Sequence, residues 1–181
     1  ASLAQAPADG STTANLNFGP FTGASGLEII DGTLFDVSFA NNLSINVTDA
    51  DPNRSGHQVP SVNGRVQFGL STLTVGDASI SISSVTGNAS GQATARFTNV
   101  PPTVSQVVIT PSTPSANDNL QLSYVYNDIN GSAEGMSEIT WTKNNVSQTA
   151  LDGQTNIPSS ATSSGDRWRA LVRPNDGTDF G

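Results

Sequence analysis

Apolar residues in this chain recur at every second position in short runs, and each run stops at a cluster of Gly, Asn, Asp or Pro. A period of two places successive side chains on opposite faces, which is the signature of a half-buried strand. TTANLNF is the clearest case: Thr12, Ala14, Leu16 and Phe18 share one face, and Thr13, Asn15 and Asn17 the other. Further strands are expected at Leu27–Ile30, Leu34–Phe39, Leu43–Thr48, Arg65–Leu70, Leu73–Val75, Ser79–Ser83 and Ala93–Val100. Beyond them come Val104–Thr110, Leu120–Asn127, Glu138–Lys143, Gln154–Ile157 and Trp168–Arg173. No segment carries a helix start signal matched by a stop. The expected fold class is all-β, with short strands at sandwich-like spacing.

A length of 181 residues is comfortable for two sandwiches of about 100 residues or fewer each. Pro101-Pro102 marks the junction, because neither residue offers the N–H that a central strand needs. The expected division is an extension over 1–19, a first sandwich over 20–100, the proline pair at 101–102 and a second sandwich over 103–181. In the second, Leu120, Leu122, Tyr124 and Tyr126 share a face, as do Ile139 and Trp141, and Trp168, Ala170 and Val172. These are the expected core-facing sets.

Ser and Thr number 43 and Asn 17, while Lys occurs once and Glu only at Glu28, Glu134 and Glu138, a composition suited to strands and turns. The net charge of −8 argues against nucleic acid and anionic membrane as partners, since phosphates are held mainly by clustered Lys and Arg. Without cysteine there is neither a disulfide nor a thiolate metal site, and packing or assembly must supply stability. No apolar run approaches the ~18–20 residues of a membrane span. The opening ASLAQAPADG has neither a basic nor an apolar leader region and reads as a mature, secreted start.

The run YVYNDINGSAEGMSEITWTKN, followed by Trp168, Val172, Pro174, Asp176 and Gly177 in W-x-x-x-V-x-P-x-D-G spacing, resembles immunoglobulin-like repeats of large bacterial and archaeal surface and secreted proteins. The resemblance covers about 103–181 and implies tandem immunoglobulin-like antiparallel sandwiches, with Trp141 in the core and an extracellular location. Such motifs speak to fold and hardly to activity. In such repeats a last strand follows the Asp-Gly turn, whereas this chain ends at Gly181. The second domain is therefore expected to lack that strand and to offer an acceptor groove beside Trp168 and Val172. The donor would be Thr12, Ala14, Leu16 and Phe18 of an identical subunit, added as a strand in a head-to-tail homopolymer.

Six Asn-x-Ser/Thr sequons, at Asn42, Asn46, Asn53, Asn88, Asn130 and Asn145, are candidate sites for covalent glycans. Asp49, Asp51 and Asn53 in VTDADPN alternate oxygen donors as a weak calcium candidate, and Asp128, Asn130 and Glu134 form a weaker one. A turn rich in Asp and Asn explains the same residues. No other cofactor is required.

His57 is the single histidine and is expected in a surface loop; Ser55 lies near it, but no G-x-S-x-G elbow supports a triad. The three Glu residues form no acid pair across a cleft. Arg167, Arg169 and Arg173 share the outward face of one strand and suit solvent, an Asp-rich face of a neighbour or a glycan.

The expected function is non-enzymatic. The leading reading is a structural subunit of an extracellular filament or surface appendage, polymerised head to tail by strand donation and glycosylated. The alternative is a two-domain stalk or binding module of a larger surface adhesin or S-layer-like protein, stiffened by calcium. A hydrolase with accessory sandwiches would need a catalytic domain outside these residues.

Overall fold

In the computed structural model, residues 3–23, 25–40 and 42–181 are described. They form β1 (Ala4–Pro7), β2 (Ala14–Phe18), β3 (Leu34–Ser38), β4 (Ser44–Ile45), β5 (His57–Pro60), β6 (Val66–Ser71), β7 (Gly76–Ser84) and β8 (Ser90–Thr98). After the prolines come β9 (Thr103–Thr110), β10 (Leu120–Asn127), β11 (Glu138–Lys143), β12 (Val146–Ser147), β13 (Asn156–Ile157) and β14 (Trp168–Arg173). Short 3-10 turns at Thr149–Leu151 and Ser159–Ala161 are the described helical segments. The chain divides into two compact units, Ala1–Val100 and Pro101–Gly181.

Unit 1 holds a five-stranded sheet, β1-β8-β7-β3-β5, and a three-stranded sheet, β2-β6-β4. All pairings are antiparallel except β1 with β8, which is parallel over Ala4↔Ala95 to Pro7↔Thr98. The inward faces of both sheets supply one core, with Phe18, Phe35, Phe68, Leu70, Ile80, Ile82 and Phe97 buried. Phe18 and Phe68 stack at 5.8 Å between ring centroids, and Phe21 and Phe35 at 5.0 Å.

This core corrects the expected role of the N-terminal strand. β2 pairs with β6 of its own chain, Ala14↔Leu70, Leu16↔Phe68 and Phe18↔Val66, and buries Ala14, Leu16 and Phe18. Withdrawing Leu16 and Phe18 would forfeit ~1.5–3 kcal/mol of burial for each and leave β6 paired only with the two-residue β4. Thr12, the fourth expected donor residue, is exposed and donates its N–H to Asp9 Oδ1 at 2.6 Å. Residues 4–18 therefore belong to the first sandwich and are no free extension or donor.

Two expected strands of unit 1 are also corrected. Leu27–Ile30 is a loop with one isolated bridge, Thr22↔Glu28, and Leu27 and Ile30 are 72% and 84% exposed. Leu73–Val75 is likewise irregular and exposed, because the turn into β7 needs no buried residue there.

Unit 2 holds the sheets β13-β10-β9 and β12-β11-β14. Leu120, Leu122, Ile139, Trp141, Ile157 and Val172 form its core. Trp141 is fully buried, donates its indole N–H to Gln154 O at 2.9 Å, and meets Trp168 edge-on at 6.1 Å. Trp168 is half-buried, covering the core margin while its other side faces out.

Candidate functional site

Three of the chain's arginines, Arg167, Arg169 and Arg173, gather on and beside the outward face of β14. β14 alternates half-buried or buried Trp168, Ala170 and Val172 with exposed Arg169, Leu171 and Arg173, and Arg167 precedes it on the exposed side. The register with β11 sets Glu138 opposite Arg173, Thr140 opposite Leu171 and Thr142 opposite Arg169. Arg173 lies 4.4 Å over the Phe180 ring and 3.6 Å from Glu138 Oε2. Among the described residues no ion pair reaches the Arg167 or Arg169 guanidinium.

The other basic side chains are all engaged. Arg54 grips Asp36 through two hydrogen bonds of 3.0 and 3.1 Å, and Arg96 grips Asp77 at 2.7 and 2.8 Å. Arg65 donates to Gly19 O and Asn17 Oδ1. Lys143 donates to Ala161 O at 2.9 Å and pairs with Asp166 at 2.7 Å. Beside the arginine face runs a shallow groove of about 770 Å³ lined by Met136, Glu138, Ile139, Thr140, Asp152 and Phe180. Met136 is 89% exposed and Leu171 66%.

The expected calcium residues are turned toward backbone amides. Asp49 Oδ1 accepts the N–H of Asp51 at 3.1 Å and of Gln58 at 3.0 Å, and Asp51 Oδ1 accepts that of Asn53 at 3.3 Å. The Gln58 and Asp51 N–H groups, in that order, hold the Asp49 carboxyl below its ordinary range. Among the described residues no group of three His, Cys, Asp or Glu converges as a metal site. Asp128 Oδ1 accepts the Ser132 N–H, and Glu134 Oε1 accepts the hydroxyls of Tyr124 and Ser137. In Asp49, Asp51 and Asp128 one carboxylate oxygen is taken by backbone amides, while Asp128 Oδ2 is buried without a hydrogen-bond partner among the described residues.

His57 corrects the expected surface position: it opens β5, is half-buried, and has its Nε2 buried without a partner among the described residues. Its neighbour Gln58 is fully buried, donating to Asp36 Oδ1 at 2.8 Å and Ser55 O at 3.1 Å. Ser55 thus contributes a carbonyl to a structural clamp.

Of the sequon residues, Asn42, Asn46, Asn53, Asn88 and Asn145 are exposed and Asn130 is half-buried. Asn46 is tied down: its Oδ1 accepts the Gly69 N–H at 2.6 Å. Asn145 sits in a left-handed turn, φ 65°, between β11 and β12. On the expected acceptor face, Val172 is buried, Trp168 is half-buried, and β14 is an edge strand of its sheet.

No family model matches this chain, and no curated protein matches it. Among solved structures it is similar to the D0-D1 domain of intimin, at 12% identity and TM-score 0.42 over 98% of this chain and 89% of that one. A C-terminal 282-residue fragment of intimin, solved with the intimin-binding domain of the translocated intimin receptor, gives 11% identity and TM-score 0.41 over 96% and 61%. Murine CEACAM1b gives 14% and 0.30 over 96% and 88%. Each unit is a two-sheet β-sandwich around its own core. Unit 2, with two antiparallel sheets and a buried tryptophan on β11, has an immunoglobulin-like layout.

Proposed function

We propose that this chain is a two-domain stalk or binding module of a larger extracellular surface protein, working by position and contact and not by catalysis. The observation that carries this reading is the tandem of two separate cores, each closed by its own strands, on either side of Pro101-Pro102. The Asn-, Ser- and Thr-rich composition with a single Lys and no Cys fits an exposed coat. No helix among the described residues is long and apolar enough to cross a membrane. Glycans on the exposed sequons are compatible with this role, and β2 is not available to build a filament.

Pulling the chain by its two ends tests the reading. A load-bearing module gives two unfolding steps, with contour gains near the lengths of the two units at ~3.3–3.6 Å per residue. A single low-force step, or head-to-tail filaments in electron micrographs of the purified chain, would overturn it.

A further inference from the structure

We propose that the outward face of β14 docks an extended acidic segment of a partner protein, one in which two carboxylates at alternate positions flank an apolar side chain. The proposal deepens the reading of a surface module and rests on it only in that the partner is met outside the cell.

Charge is the first argument. The chain carries 15 acidic and 7 basic residues, and four of the basic ones are consumed by carboxylates or carbonyls on their own unit. Of the rest, Arg167 and Arg169 meet no carboxylate among the described residues and Arg173 meets only the exposed Glu138 at 3.6 Å; Arg169 and Arg173 lie on the outward face of β14, and Arg167 just precedes it. A strongly acidic molecule repels anionic partners at long range, so a local cationic stripe fixes where and in what orientation such a partner makes contact.

Spacing is the second. Residues two apart on a strand stand about 6.6–6.8 Å apart on one face, the same repeat as the side chains of any extended peptide. A segment lying along β14 would therefore present its alternate side chains to Arg169, Leu171 and Arg173 in step. Guanidinium forks take carboxylates two bonds at a time, and Leu171, 66% exposed, offers the apolar contact between them. Phe180 holds Arg173 from behind, which lowers the entropy lost on binding. Thr140 stands across from Leu171 on β11.

The apolar content favours a peptide over an acidic polysaccharide. Leu171 and Met136 are open to apolar side chains, whereas the one aromatic ring on this face, Phe180, is already covered by Arg173.

The test uses the whole chain and fluorescence anisotropy of a labelled synthetic peptide with an Asp-Thr-Leu-Thr-Asp core. Its same-composition isomer, Asp-Asp-Leu-Thr-Thr, and polygalacturonate serve as competitors. Expected are binding that weakens with salt, a weaker isomer, and roughly tenfold or greater loss in the Arg169→Ser/Arg173→Ser variant. Leu171→Ser should weaken the peptide several-fold without changing the salt slope. Near-UV circular dichroism from Trp141 and Trp168 verifies that each variant is folded. Absence of binding, equal binding of the isomer, variants that bind like the parent, or capture of polygalacturonate ahead of the peptide would each overturn the proposal. None of these outcomes touches the two-step mechanical unfolding, so the two readings fail separately.

Discussion

Asp166 shows how single residues hold the loops of unit 2. Its Oδ2 takes Lys143 Nζ at 2.7 Å and the Ser163 N–H at 2.6 Å, and its Oδ1 takes Asn144 Nδ2 at 3.0 Å. The Lys143 hydrogen bond, with smaller help from Asn144 and Ser163, holds the carboxyl below its ordinary value. A carboxyl whose folded pKa is depressed contributes stability that is fully present above its unfolded value of about 3.9 and is lost as pH falls through the folded value. Asp166→Asn should therefore lower the melting temperature of unit 2 at pH 7, and the difference from the parent should shrink as pH falls below about 4. Both tryptophans lie in unit 2, so their fluorescence reads this transition; a difference that persists unchanged into acid would contradict the assignment. Gly69 makes a second residue-level case. A methyl group there would stand 2.8 Å from Asn46 Nδ2 and 2.8 Å from Thr13 Cβ. Gly69→Ala should cost unit 1 roughly 1–3 kcal/mol in denaturant unfolding followed by far-UV circular dichroism, as overpacking does elsewhere. A neutral result would mean that both Asn46 and Thr13 give way to the added methyl.

At the scale of elements, β2 separates what a pattern tells from what it leaves open. Its alternation announced a strand with an apolar face of Ala14, Leu16 and Phe18, and that face is buried. Alternation does not name the sheet that the strand joins, and β6 of the same chain takes it. Phe18→Ala should cost unit 1 about 3–5 kcal/mol, because the ring leaves a cavity against Phe68 that the sandwich cannot collapse to fill. Unchanged stability in a denaturant titration would return β2 to the role of a free strand. β10, β11 and β14 were legible to the residue because each alternates cleanly between turn signals. β1, with the sequence AQAP, was not: small residues and a proline give no alternation, and its stability comes from parallel pairing with β8, about ninety residues away. Leu27–Ile30 failed in the opposite sense, since an apolar run carries no record of whether a second layer will cover it.

On the scale of the whole molecule, the two cores predict two transitions. The Phe18→Ala change should move the unit 1 transition seen by far-UV circular dichroism and leave the tryptophan-detected one in place. A tryptophan signal that moves with it would show the units to be energetically coupled. The sequence by itself determined the all-β class, the tandem sandwich architecture and the inward and outward faces of the longer strands, including the outward arginines of β14. It could do so because strand periodicity and turn chemistry act over a few neighbouring residues. Only the tertiary structure decided that β2 closes its own core and that Asp49 and Asp51 each turn one carboxylate oxygen to backbone amides. It alone also showed which arginines have carboxylates to hold and which face outward without one. Those outcomes depend on groups brought together across tens of residues, where the partner is chosen by packing and hydrogen-bond geometry and local sequence carries no trace of the choice.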